Sequence, residues 1–292
     1  MKKKLILVGT MLFAAISIGA GLLVVKNREA QMKYEVSKNV NSAEVKTVEK
    51  KQTIVTFGDS IFGNIRDNTS VPSVIQENTN QIVKNVAFGG TRSALLSYDS
   101  PWNSLAFTSL IDEVVKDDDD ETKWKYQDEN MGEESFLYYF EESLSTLKNI
   151  DFNNVDTVTI SYGTNDFTSE VPLEGKDASS FQGSMSNSIK KLSEKYPEIN
   201  IVVVSPAYRY WKNESGEFLV DSDSNVVNNS KLTDFVSMTE KIASDNKLKF
   251  IDIYKLINVD NKDEYFDEKD STHPNEAGRK LIGEHVAENL FN

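Results

Sequence analysis

The residue types of nucleophilic acyl transfer stand at two places in this chain, more than two hundred residues apart. The first is Gly58-Asp59-Ser60, which closes the β-branched run Thr53-Ile54-Val55-Thr56-Phe57. The run reads as a buried strand, and Gly58 permits a sharp turn after it. Ser60 then projects from the mouth of that strand, with a helix to follow. A serine hydroxyl is a weak nucleophile until a base takes its proton; without one, Gly-Asp-Ser is an ordinary turn with a helix N-cap. The second place is Asp270-Ser271-Thr272-His273-Pro274-Asn275, a loop ahead of the final helix. A base for this chemistry must titrate near neutrality, and imidazole is the usual one. The chain has two histidines. His285 falls inside the last helix, one turn after Leu281, and reads as a surface or structural residue. His273 remains as the base. Asp270, three residues earlier on a tight turn, can fold back to Nδ1 and leave Nε2 free for Ser60.

These groups meet only if the intervening chain brings them to one edge, and its pattern predicts that it does. After Ser60, strands and helices alternate. Helices are expected over residues 71–80, 105–115, 133–150, 179–196, 230–245 and 275–290, and strands over residues 81–88, 155–162, 199–205 and 250–253. With the run before Ser60 this makes five strands. The run Ile199-Asn200-Ile201-Val202-Val203-Val204-Ser205 is apolar on both faces, which suits a parallel sheet covered by helices on each side. In such sheets ligands bind beyond the carboxyl ends of the strands. Ser60, Gly90 of the pair Gly89-Gly90, and Asn165 of Gly163-Thr164-Asn165-Asp166 all follow predicted strand ends. A glycine pair there lets backbone N–H groups approach a ligand, or simply makes a turn. Two acidic stretches are read without function. Asp117-Asp118-Asp119-Asp120-Glu121 is a solvated loop, because consecutive aspartates do not converge on one cation. Asp221-Ser222-Asp223-Ser224-Asn225 begins like a calcium loop but has neither the glycine at the sixth place nor the glutamate at the twelfth, where Leu232 stands, so it is a turn.

The N-terminus has a different character. Lys2-Lys3-Lys4 is followed by an uncharged apolar stretch over residues 5–25. As a helix it spans roughly 30 Å, about one hydrocarbon core, and is longer than the usual secretory core of about 7–15 residues. It reads as a signal anchor, or else a cleaved signal peptide; in both cases the remainder is exported, with residues 1–4 left in the cytoplasm. Residues 26–51 are polar and charged and read as a linker, and residues 52–292 as one domain. A net charge of −14 argues against a nucleic-acid partner. The absence of cysteine excludes disulfides, thiolate nucleophiles and cysteine metal sites.

Gly58-Asp59-Ser60, Asn85-Val86-Ala87-Phe88-Gly89-Gly90, Gly163-Thr164-Asn165-Asp166 and Asp270-Ser271-Thr272-His273-Pro274 together resemble the four blocks of the SGNH (GDSL-type) hydrolase family, in family order. The resemblance covers residues 53–290. It implies a flavodoxin-like three-layer α/β/α sandwich with a central five-stranded parallel sheet, and no cofactor or metal. It implies Ser60 as nucleophile, His273 as base and Asp270 as the residue orienting His273. The oxyanion hole it implies comprises the Ser60 and Gly90 backbone N–H groups and the Asn165 side chain. The sequence departs from the family in carrying Ala87 where many members have glycine, and in an acidic insertion over residues 117–134.

The expected activity is therefore an exported serine esterase held at the cell membrane, removing O-acetyl or similar acyl groups from an envelope or surface glycan. Tyr208, Tyr210 and Trp211, with Trp102, are candidates to stack on sugar faces, or to serve as packing. Alternatives of the same chemistry are a lipase or lysophospholipase and an acetyltransferase to a glycan. An alternative of another class is a catalytically silent binding module of envelope assembly.

Overall fold

Successive side chains of a strand point to opposite faces, and this period of two sorts the apolar residues of the chain into two cores. The computed structural model describes Gln31 and residues 50–292. The expected anchor, its expected cytoplasmic flank and the expected linker up to residue 49, Gln31 apart, lie outside the described residues. Lys51–Asn292 make one compact unit. In chain order its elements are β1 (Thr53–Gly58), α1 (Ser60–Gly63), α2 (Val71–Thr79), β2 (Ile82–Asn85), α3 (Phe107–Val114), α4 (Lys125–Asn130), α5 (Phe140–Lys148), β3 (Thr157–Ser161) and α6 (Thr164–Thr168). There follow α7 (Phe181–Lys195), β4 (Asn200–Val204), β5 (Tyr210–Lys212), β6 (Phe218–Asp221), α8 (Leu232–Asp245), β7 (Lys249–Ile251), α9 (Lys262–Tyr265) and α10 (Glu276–Leu290).

Five strands form one sheet in the order β2-β1-β3-β4-β7, every pair parallel. Ile54, Val202, Val204 and Ile251 face a core closed by Val71 and Ile75 of α2 and Ile282, Val286 and Leu290 of α10. Val55, Phe57, Ile201 and Val203 face the other way, into a larger core with Phe107 and Leu110 of α3, Phe140 and Leu144 of α5, Met185 and Ile189 of α7 and Phe235 and Ile242 of α8. The result is the three-layer α/β/α arrangement expected, with the doubly wound order whose direction of winding reverses between β1 and β3.

The departures from the expected elements have local causes. The strand expected over residues 81–88 pairs in register only over Ile82–Asn85, although Val86 and Phe88 still donate N–H bonds to Thr56 (3.1 Å) and Gly58 (3.0 Å). The helix expected from residue 133 begins at Phe140, because residues 133–139 are drawn into turns that carry Tyr139 towards the end of β2. The last strand ends at Ile251, and the Asp252 side chain turns the chain by accepting the N–H of Tyr254 (3.0 Å). Within the acidic insertion, residues 116–124 are turns, followed by α4, which the periodicity did not predict. Between the strand expected to end at residue 205 and the helix expected from residue 230, residues 210–221 form β5, its turn and β6, an antiparallel hairpin with an irregular register at Trp211 and Lys212.

Gly283 lets α10 lie close against α2. A Cβ there would come within 2.6 Å of Val74 Cβ and 3.1 Å of the Val71 carbonyl. Gly283→Ala is expected to lower stability by about 1–3 kcal/mol through overpacking, even against a helix-propensity gain of ~1 kcal/mol. Equilibrium urea unfolding checks this; an unchanged or raised midpoint contradicts it.

Candidate active site

β1 ends in Gly58, whose missing Cβ lets Phe62 and the Ser161 carbonyl close in; a Cβ would lie 3.3 and 3.2 Å from them. Asp59 then caps α1 by accepting the Ile61 N–H at 3.0 Å. Ser60 is the first residue of that helix and is 8 % exposed. Across the cleft, the turn before α10 folds back on Asp270. Its Oδ1 accepts the backbone N–H groups of Thr272 and His273, both at 2.9 Å, and its Oδ2 lies 2.8 Å from His273 Nδ1. His273 Nε2 lies 3.0 Å from Ser60 Oγ. Partial burial pushes the Asp270 carboxyl up, but the bonds from His273 and Thr272 outweigh it and hold the group below its ordinary range. A carboxylate kept ionised on Nδ1 fixes the tautomer that presents Nε2 as acceptor to the serine.

Gly90 follows β2 and Asn165 lies in the first turn of α6 after β3, so they flank Ser60 because their strands flank β1. Gly90 has φ +77°, a left-handed backbone, with the Trp102 ring against it where a Cβ would stand 3.1 Å from Cζ3. Asn165 spends one amide N–H on the Thr91 carbonyl, at 2.9 Å. The backbone N–H groups of Ser60 and Gly90 have no acceptor among the described residues. Ser60, Asn64, Ile65, Asp267, Asp270, His273 and Arg279 line a cleft of about 220 Å³ beside the serine.

Two further residues, Asp166 and Tyr139, position this edge. Asp166 is fully buried and accepts from the N–H groups of Ser93 (3.0 Å) and Ala94 (3.0 Å) and from Ser93 Oγ (3.0 Å), which ties the Gly90 loop to α6. Burial raises its pKa, and those bonds oppose the shift. Its only signal was its place in Gly163-Thr164-Asn165-Asp166. Tyr139 accepts from the Gly89 N–H (2.8 Å) and donates to Asn64 Oδ1 (2.9 Å), joining the β2 loop to the end of α1. Burial pushes its hydroxyl up to about 12. No pattern marked it.

Of the aromatics expected to stack on sugars, Tyr208, Tyr210 and Trp211 do not offer free faces. Tyr208 and Tyr210 are 1 % and 3 % exposed. Tyr208 packs on Tyr254 and Phe266 with its hydroxyl 3.3 Å from Asp221, and Tyr210 is enclosed by Phe218 and Phe266. Trp211 is partly exposed, but the Arg209 guanidinium covers its ring at 4.5 Å and Phe167 meets it edge-on. The reason is the β5–β6 hairpin, which packs these rings against its own strands and their neighbours. The acidic stretch at Asp221 is part of the same packing, since Asp223 accepts the Tyr254 hydroxyl at 2.7 Å.

Asp59 carries a measurable electrostatic cost. Burial pushes its carboxyl up to about 6 from an ordinary 3.8; the Ile61 N–H and the charges of His273 and Arg209 only partly offset this. The folded state therefore holds the proton more tightly than the unfolded chain, and this group's contribution to stability, intact below pH 3.8, is lost as pH rises towards 6. Asp59→Asn keeps an acceptor for Ile61 and removes the charge. Its urea-unfolding stability is expected to exceed the parent's by up to about 3 kcal/mol at pH 8, with the gap closing towards pH 4. A gap independent of pH overturns this reading.

The profile of the GDSL-like Lipase/Acylhydrolase family matches residues 56–281. No curated protein matches the chain. Among solved structures it is similar to a protein from Lactobacillus plantarum, with 15 % identity, 82 % of this chain and 97 % of that one covered, and a TM-score of 0.54. It is also similar to a protein from Chitinophaga pinensis described as a possible lipase, with 16 % identity, 82 % and 97 % covered, and a TM-score of 0.51. A salicylyl-acyltransferase from a tetracycline biosynthetic pathway is similar at 13 % identity, with 83 % and 55 % covered and a TM-score of 0.50. At these identities the likeness is one of fold. The family profile, spanning both the Ser60 turn and the His273 loop, carries the assignment, and the chain belongs to the GDSL-like lipase/acylhydrolase family.

Proposed function

We propose that this acylhydrolase is a serine esterase of the cell envelope that removes short acyl groups, O-acetyl above all, from a glycan. The single observation behind the chemistry is the unbroken chain Asp270–His273–Ser60, with contacts of 2.8 and 3.0 Å, at the carboxyl end of β1. Ser60 Oγ attacks the ester carbonyl as His273 Nε2 takes its proton, and Asp270 stabilises the imidazolium. The developing oxyanion is held by the uncommitted N–H groups of Ser60 and Gly90 and by the second amide N–H of Asn165. Collapse expels the alcohol, which receives the proton from Nε2. Water, activated by the same imidazole, then resolves the acyl-Ser60. A sugar hydroxyl in place of water makes the reaction an acyl transfer.

One observation favours a short acyl group. The cleft beside Ser60 is small, about 220 Å³, which suits an acetyl group better than a long alkyl chain. Action outside the cell, anchored through residues 5–25, rests on the lysine cluster and the uncharged stretch that follows it. Among the described residues no helix is long and apolar enough to cross a membrane.

The domain from residue 50 onward is expected to hydrolyse acetyl chromogenic esters faster than octanoyl ones, with turnover abolished in Ser60→Ala. Octanoyl preference would move the substrate to lipid. Failure to turn over either ester or to be labelled at Ser60 by a fluorophosphonate would favour the silent module. Asn165→Ala is expected to lower kcat by about 10²–10³, the typical loss for one oxyanion donor; full turnover in a folded Asn165→Ala protein excludes that donor.

A further inference from the structure

Arg209 stands beside the site with its hydrogen bonds unspent. It lies just before β5, where its carbonyl accepts the Ser222 N–H (3.0 Å) and its N–H donates to Ser222 Oγ (3.2 Å). The next residue, Tyr210, donates its N–H to the Ser271 carbonyl at 3.0 Å, which fastens this strand to the Asp270–His273 turn. The guanidinium lies over the Trp211 ring, which fixes its position. Burial lowers its pKa to about 10, while the charges of Asp270 and Asp59 oppose that shift. Neither carboxylate comes within ion-pair distance, and no side-chain N–H of Arg209 meets an acceptor among the described residues. Nε is fully buried and unpartnered.

The other arginines near the site differ. Arg279 donates to the Thr69 and Pro274 carbonyls and to Thr69 Oγ1, at 2.8–3.0 Å. Arg92 also lacks an acceptor, but it is 6 % exposed and the main charge facing it is the buried Asp166 carboxylate, so it acts as that group's counter-charge. Arg209 is partly exposed, and it is absent from the wall of the cleft that the proposed reading gives to the acyl group. On that reading, a group that reaches it belongs to the other half of the ester, the alcohol. Withdrawing a guanidinium from water without acceptors is unfavourable, and its planar fork pairs best with a carboxylate, through two parallel bonds. On a chain of net charge −14, a fixed cation beside the serine also offsets the repulsion an acidic polymer would meet.

We propose that Arg209 receives a carboxylate carried by the sugar whose ester Ser60 cleaves, so that the substrate is an acylated acidic glycan. This rests on the esterase reading and deepens it. The test compares kcat/KM, by acetate release, for O-acetylated methyl glucuronoside and O-acetylated methyl glucoside, which differ only in the carboxylate. The parent protein is expected to prefer the glucuronoside by about tenfold or more. The preference should fall to about one in Arg209→Gln and be partly retained in Arg209→Lys, which keeps charge without the fork. A ratio near one in the parent, or one that survives Arg209→Gln, overturns the proposal. So does an equal loss on both esters with a displaced pH profile, which would make Arg209 a positioning residue for Asp270 and His273. Preference for acetylated glycerol 3-phosphate over the glucuronoside would replace the sugar acid with a lipid headgroup. If Ser60→Ala retains hydrolysis, the esterase reading fails by itself. Calorimetric titration of methyl glucuronoside then still decides the receptor: tenfold weaker binding to Arg209→Gln supports it, and equal binding to both proteins overturns it.

Discussion

β1 exchanges backbone hydrogen bonds with β2 on one side and β3 on the other, and both neighbours run parallel to it. A parallel strand must deliver its carboxyl end to the same edge as its partners, so the three segments that follow these strands emerge side by side. Ser60 comes from the middle one, Gly90 and Asn165 from its flanks. The winding of the chain reverses between β1 and β3, which leaves a crevice at this point instead of a covering crossover. The site is a consequence of that pairing, and the remaining devices serve to hold the loops where the strands have put them.

Those devices are largely buried polar groups. Asp166 takes bonds from Ser93 and Ala94, Tyr139 bridges Gly89 and Asn64, and Asn165 reaches Thr91. Each link joins two of the three strand-end segments, so none can move alone. Burying Asp59 and Asp166 works against stability, since a carboxylate loses its hydration there. In exchange the donors around Ser60 are fixed before a substrate arrives. Preorganised donors of this kind stabilise developing charge without the reorganisation that water would require.

The hairpin β5–β6 gives the site its individual character. It inserts after β4, covers its own aromatic residues, and presses Tyr210 against the Ser271 carbonyl so that Arg209 stands next to the acid–base pair. The parallel sheet and the hairpin thus divide the work. On the proposed mechanism, one sets the reacting atoms and their donors, and the other places Arg209 to face what is attached to the ester.

The sequence by itself determined the layered α/β class, the order of the five strands along the chain, and the residues at the strand ends, because period-two and helical apolar patterns are local properties. It also determined the Asp270–His273 pair, since three residues on a tight turn cannot place the two side chains far apart. The meeting of His273 with Ser60 followed from the edge rule for parallel sheets and from the family resemblance, not from any local pattern. What only the tertiary structure decided depends on contacts between distant segments. Residues 133–139 gave up a helix so that Tyr139 could reach Gly89 across fifty positions. Tyr208, Tyr210 and Trp211 have the composition of a sugar platform, but the fold of the hairpin turned two of them inward and placed Arg209 over the third. Aromatic rings satisfy a core and a binding face equally well, and residue type alone cannot distinguish them; which surface a ring meets is settled by the packing of the whole chain.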